Sequence, residues 1–147
     1  MSNPLAATYE WFRKAVPNPT EKNLTVQCGV HFEEVAELVR EISTDDPVLN
    51  AYLRNAHDSL ESLGNYLKKL STNIKFENRV ATLDAINDQM VTGTGIAYML
   101  KMDPVNGLAE VNRSNWSKFV NGQPQFNDDG KIVKGDAYTP PNLDSFV

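Results

Sequence analysis

The stretch HFEEVAELVREI, residues 31–42, sets Glu33, Glu34, Glu37 and Glu41 beside Val35, Leu38, Val39 and Ile42. At about 100° per residue the four apolar side chains cluster within roughly 100° of one another, and the glutamates fill the next roughly 100° of the circumference. A solvated helix face has this pattern, and so does half of a carboxylate metal site. The other half is available in VATLDAINDQMVTGTG. There Asp84 projects within about 40° of Val80 and Val91, the apolar side of its helix, and Asp88 follows one turn later. An acid on an apolar side must be paired, hydrogen-bonded or metal-bound, so Ser, Thr or Lys of a neighbouring helix is one solution. The other is a bundle in which Glu33, Glu34 and Glu37 meet Asp84 and Asp88. Five carboxylates brought together need a compensating charge, which a divalent cation supplies.

Carboxylate oxygens alone suit hard Mg²⁺, or Mn²⁺, whereas zinc and copper usually recruit imidazole or thiolate. Di-iron is disfavoured because Glu-x-x-His pairs are absent: Cys28 and Arg54 stand three before His31 and His57. His31, one turn before Val35, reads as a core histidine or as a group near a metal or substrate. His57 reads as a surface group touching Glu61. In EVNRSNWSKF, residues 110–119, Arg113 with Ser117 and Ser114 with Lys118 form two adjacent strips of cation and hydroxyl that can hold phosphate oxygens. The plainer reading is that the cations offset a helix dipole while Trp116 and Phe119 pack. Joined to a Mg²⁺-binding acid cluster, the strips fit a substrate whose phosphates bridge metal and cations.

Prolines divide the elements that must position these groups. An amphipathic helix is predicted over 4–16, ended by Pro17 and Pro19. Thr20 caps a second helix to about residue 42, and Pro47 opens a third to about residue 70. A fourth spans about 77–102. Asp103-Pro104 caps and opens a fifth, carrying Leu108, Val111 and Phe119. Beyond Phe119 the chain is rich in Gly, Pro, Asn and Asp, and Asn127-Asp128-Asp129-Gly130 separates two short extended runs, which predicts a small hairpin and an ordered tail. Gly93 and Gly95 are costly inside a helix unless close packing, within the chain or across a dimer, compensates. The expectation is an all-α bundle of about five helices in one domain, with its core over 20–119 and an irregular extension over 120–147.

A chain of 147 residues, 41% apolar, buries one core comfortably. Its formal charge of −5 argues against duplex nucleic acid as a partner, and its single cysteine, Cys28, allows neither an intrachain disulfide nor a thiolate zinc cluster. With neither a cationic leader nor roughly 18 consecutive apolar residues, the chain is expected in the cytoplasm and off the membrane. The Asn-x-Ser/Thr matches at Asn23, Asn112 and Asn115 then carry no weight.

Three ordered blocks, His31 to Glu37 (HFEEVAE), Asp84 to Asp88 (DAIND) and Glu110 to Lys118 (EVNRSNWSK), resemble the MazG-type all-α nucleoside triphosphate pyrophosphohydrolases, closest to the short phage-encoded, phosphoribosyl-ATP pyrophosphohydrolase-like members. The resemblance runs from about Gln27 to the tail. It implies Mg²⁺-dependent hydrolysis between the α- and β-phosphates of a nucleoside triphosphate, releasing a monophosphate and pyrophosphate. It also implies Glu34 and Glu37 as metal ligands, with Glu33 holding a further metal or orienting the attacking water, and Glu33 or Glu34 taking its proton. Asp88 matches the aspartate of the family's Glu-x-x-Asp, but the glutamate position holds Ala85, leaving Asp84 one residue away as substitute. Arg113, Asn115 and Lys118 look like phosphate and nucleotide contacts, and Gln27 and His31 like base or sugar contacts. Members are commonly dimers or paired dimers whose sites use more than one chain. The rivals are the enzyme acting on phosphoribosyl-ATP and a non-catalytic helical binding or assembly protein.

Overall fold

The structure is a computed structural model that describes residues 3–70 and 73–147. Among the described residues it is all-α, with five helices in chain order: α1 (Pro4–Ala15), α2 (Glu21–Arg40), α3 (Pro47–Lys69), α4 (Arg79–Met99) and α5 (Pro104–Trp116). Local chemistry explains each start. Asn3 accepts from the Leu5 and Ala6 amides ahead of α1, and Thr20 forms a reciprocal capping box with Asn23 ahead of α2. Asp46, Asn78 and Asp103 cap the other three, with proline at the first position of α1, α3 and α5, where its missing N–H removes no helical bond. α4 stops in a Schellman turn. Lys101 takes a left-handed φ of 63°, its amide donates to Tyr98, and the Met102 amide donates back to Ala97 at 3.0 Å.

The chain forms two compact units. One comprises residues 19–74 with 128–131, and the other residues 1–18, 75–127 and 132–147.

In the first unit α2 packs against α3. The two helices cross at Gly29 and Gly64, where a Cβ on either residue would stand 2.7 Å from the other's carbonyl oxygen. Only glycine permits that approach. Lys22 Nζ donates to the Lys68 and Leu70 carbonyls at 2.8 and 3.1 Å, satisfying the end of α3.

In the second unit α1 packs against α5. Trp11, Ala15 and Phe119 form the core with Val16 and Ile132 beside them, and the Trp11 and Phe119 rings stack at 5.7 Å. Buried Asn112 ties the helices together: its Oδ1 accepts from Thr8 and its Nδ2 donates to the Pro4 carbonyl, both at 2.9 Å.

The expected hairpin across residues 127–130 is reduced to one isolated bridge, Phe126 with Ile132, and no regular strand forms among the described residues. The tail's tight turn lies earlier. Asn121 and Gly122 both have positive φ, 50° and 73°, and Val120 and Gln123 exchange backbone hydrogen bonds across them. Asn-Gly suits such a turn because both residues tolerate positive φ. A short 3₁₀ turn, Asp144–Phe146, closes the tail and accepts the Asp103 amide at the Phe146 carbonyl.

Candidate functional site

The acidic face of α2 is present, but its glutamates are not equivalent. Glu33, on the side toward α3, is half-buried and ion-paired to Lys68, with Lys131 Nζ 4.0 Å from its other oxygen. Lys68 lies one turn beyond Gly64, as Glu33 lies one turn beyond Gly29, so the glycine crossing brings the pair together. Glu34 and Glu37 are exposed one turn apart and make no ion pair or side-chain hydrogen bond among the described residues. On charge and donor type these two oxygen-bearing groups fit a hard divalent cation; Glu33 has its charge already balanced by lysine.

Elsewhere on α2, Gln27 and His31 are exposed one turn apart, and His31 meets the edge of Phe32 at 5.8 Å. The reading of His31 as a core histidine is therefore corrected: α2 buries Thr25, Val26, Gly29 and Ala36, a stripe that excludes position 31. Cys28 is half-buried, and burial pushes its thiol above the usual range, which keeps it protonated and poorly nucleophilic. His57 Nδ1 lies 3.1 Å from Asp58 rather than against Glu61.

Asp84 and Asp88 sit on α4, in the other unit. Both are exposed, as are Val80 and Val91 at 81% and 68%, so the expected desolvation cost at Asp84 does not arise within the chain. Helical angles put Asp84 on the apolar side of α4, but that side is not a buried one: α4 buries none of its residues. Among the described residues no three His, Cys, Asp or Glu side chains gather as a ready-made metal site.

On α5 the cationic strip has an occupant. Arg113 makes a two-pronged pair with Glu110, Nε at 2.8 Å and Nη2 at 2.7 Å, and also donates to Thr139 and to the Pro140 carbonyl. The Asn142 amide donates to Glu110 at 2.8 Å, and the Thr139 amide to Ser117 Oγ at 2.9 Å. Arg113 and Ser117 thus hold the tail, and the Arg113 hydrogen bonds with that of Asn142 lower the Glu110 carboxyl to about 2. Lys118 Nζ donates to half-buried Asn115 at 2.8 Å, so these two substrate-contact candidates are neighbours.

Sequence reasoning missed Lys68 and Lys131 as partners of Glu33, and Glu110, Thr139 and Asn142 as partners of the strip. Repeated Gly-x-x-x-charge spacing, Gly29 to Glu33 and Gly64 to Lys68, was a signal for the first pair; contacts between α5 and residues 139–142 have no local signature. No protein-family model matches the chain, and no match was found among curated proteins or among solved structures. No helix among the described residues is long and apolar enough to cross a membrane.

Proposed function

We propose that the protein is a Mg²⁺-dependent nucleoside triphosphate pyrophosphohydrolase that cleaves between the α- and β-phosphates, acting in the cytoplasm, the host's if phage-encoded, as a dimer or dimer of dimers. The reading rests on the resemblance of the three blocks, and the observation that carries it is the pair Glu34 and Glu37: adjacent, exposed and uncommitted on α2. These two would hold the ion, with Mn²⁺ as its natural substitute. When bound, the ion would neutralise phosphate oxygens and acidify water. Whichever of Glu33 and Glu34 the metal does not fully occupy would take a proton from the attacking water, and the Glu33–Lys68 pair joins α2 to α3. Lys118 and Asn115 offer a cation and an amide to phosphate or sugar oxygens. The resemblance assigns Asp88, and Asp84 in place of Ala85, to the metal as well; Asp88→Asn tests that assignment separately.

Pyrophosphate release from a panel of ribo- and deoxyribonucleoside triphosphates should require Mg²⁺, stop with EDTA, and fall by about 10²-fold or more in Glu34→Gln, the scale of losing a general base. Glu34 is exposed, so the variant should melt like the parent. No release from any triphosphate by a folded protein would overturn the reading; phosphoribosyl-ATP would be assayed next. The bare helix α4 favours the remaining alternative, a non-catalytic assembly protein, which predicts no metal-dependent turnover and no effect of Glu34→Gln.

A further inference from the structure

Arg113 has two hydrogen-bonding edges, and both are taken. Its side-on edge, Nε and Nη2, grips the Glu110 carboxylate at 2.8 and 2.7 Å. Its end-on edge, Nη1 and Nη2, holds two oxygens of the tail, the Thr139 hydroxyl at 2.5 Å and the Pro140 carbonyl at 3.0 Å. A pair of oxygens is also what a phosphate presents to the fork of a guanidinium, so residues 139–142 (TPPN) stand where Arg113 would take an oxyanion. They are weak occupants of that place. Both tail oxygens are neutral, and a charged phosphate oxygen makes a hydrogen bond about twice as strong.

The segment is built to let go. Its further holds on α5 are polar, the Thr139 amide on Ser117 Oγ and the Asn142 amide on Glu110. Pro140 and Pro141 have no N–H to add, and all four residues are exposed, so no buried apolar side chain pins them. Contacts of this kind lie at the low end of local stability, where a segment opens without the rest of the fold. The end of the tail is moored separately, by the Asp103 amide donating to the Phe146 carbonyl at 2.8 Å, so residues 139–142 can lift while the 3₁₀ turn stays in place. We propose that residues 139–142 are a strap over the end-on edge of Arg113, and that the strap and a phosphate group occupy this edge in turn. The proposal rests on the pyrophosphohydrolase reading for the class of ligand, a triphosphate chain, and adds regulation of that contact. Affinity for the chain is lowered in proportion to the fraction of molecules whose strap is closed.

Inorganic tripolyphosphate is the probe, titrated calorimetrically into the full chain in EDTA so that no turnover is needed. Thr139→Val deletes one of the two tail oxygens, and Asn142→Pro deletes the amide held by Glu110. Each should bind at least about threefold tighter than the wild type, because an opened strap raises the competent fraction. Arg113→Gln should bind more weakly, and Thr139→Val added to it should gain nothing. Position 139 is exposed, so Thr139→Val should keep the parent's circular dichroism. Hydrogen exchange tests the wild type with no substitution at all: the Thr139 and Asn142 amides should lose protection as tripolyphosphate saturates the protein. A tail that is only structural predicts variants that bind no tighter and amides that stay protected in the bound state. Either result, or no binding of tripolyphosphate by wild type and variants alike, would overturn the proposal. Pyrophosphate release by the wild type is a separate outcome. A protein that releases none, yet exchanges its strap for tripolyphosphate, keeps the strap and loses only the reaction.

Discussion

Glu110 shows how one side chain can settle the fate of a segment far from it. Its two oxygens take the Arg113 fork and the Asn142 amide, which fastens the tail onto α5. Because its folded value, about 2, lies below the ordinary 4.5, the carboxylate's contribution is complete above about pH 4.5 and is lost as the pH falls through about 2. The Asn142 amide resonance should therefore titrate near pH 2 in the wild type and show no such step in Glu110→Gln. Asn112 acts in the same way at the buried seam of α1 and α5, where donor and acceptor are both used. Asn112→Ala leaves the Thr8 hydroxyl without that acceptor and should cost about 1–3 kcal/mol in urea denaturation. Neither residue announces such a role locally: the Asn112 partners lie more than a hundred positions away.

Helices carry the contrast between glycines that are needed and glycines that are merely present. At Gly29 an added methyl would strike the Gly64 carbonyl and force α2 and α3 apart. The overpacking cost, about 1–3 kcal/mol, exceeds the up to ~1 kcal/mol that alanine adds to helix propensity. Gly29→Ala should lower the melting temperature. Gly107 in α5 has open space at its Cβ, so Gly107→Ala should instead stabilise the protein by about 0.5–1 kcal/mol in the same thermal scan. Separating the α2 and α3 backbones would also separate Glu33 from Lys68, so packing at two glycines governs the ion pairing of the α2 face. That coupling is why Glu33, the first glutamate of the run, carries an ion pair that Glu34 and Glu37 lack.

For the molecule as a whole, the shortage of buried apolar surface is the governing fact. Among the described residues the buried apolar side chains are Trp11, Ala15, Val26, Ala36, Leu67 and Phe119, whereas most of α4 lies in water. The dimer proposed above would supply further burial, and binding that favours the folded state raises stability with concentration. The melting temperature should thus rise across a hundredfold range of protein concentration, from about 1 to about 100 µM. A concentration-independent transition would mark a chain that is stable alone.

Helix existence and ends were legible from local chemistry: Thr20, Asp103 and the first-turn prolines mark starts that the backbone must satisfy within one turn, and the predicted bounds fall within about three residues of those observed. The acidic run on α2 was equally legible, because helical spacing follows from sequence alone. Which glutamate is free was decided by tertiary structure, since Lys68 reaches Glu33 only through the Gly29 and Gly64 crossing. The same holds for Arg113, taken by the tail, and for Asp84, whose apolar neighbours lie in water. Periodicity specifies which side chains share a face; only the packing of distant segments decides what that face meets.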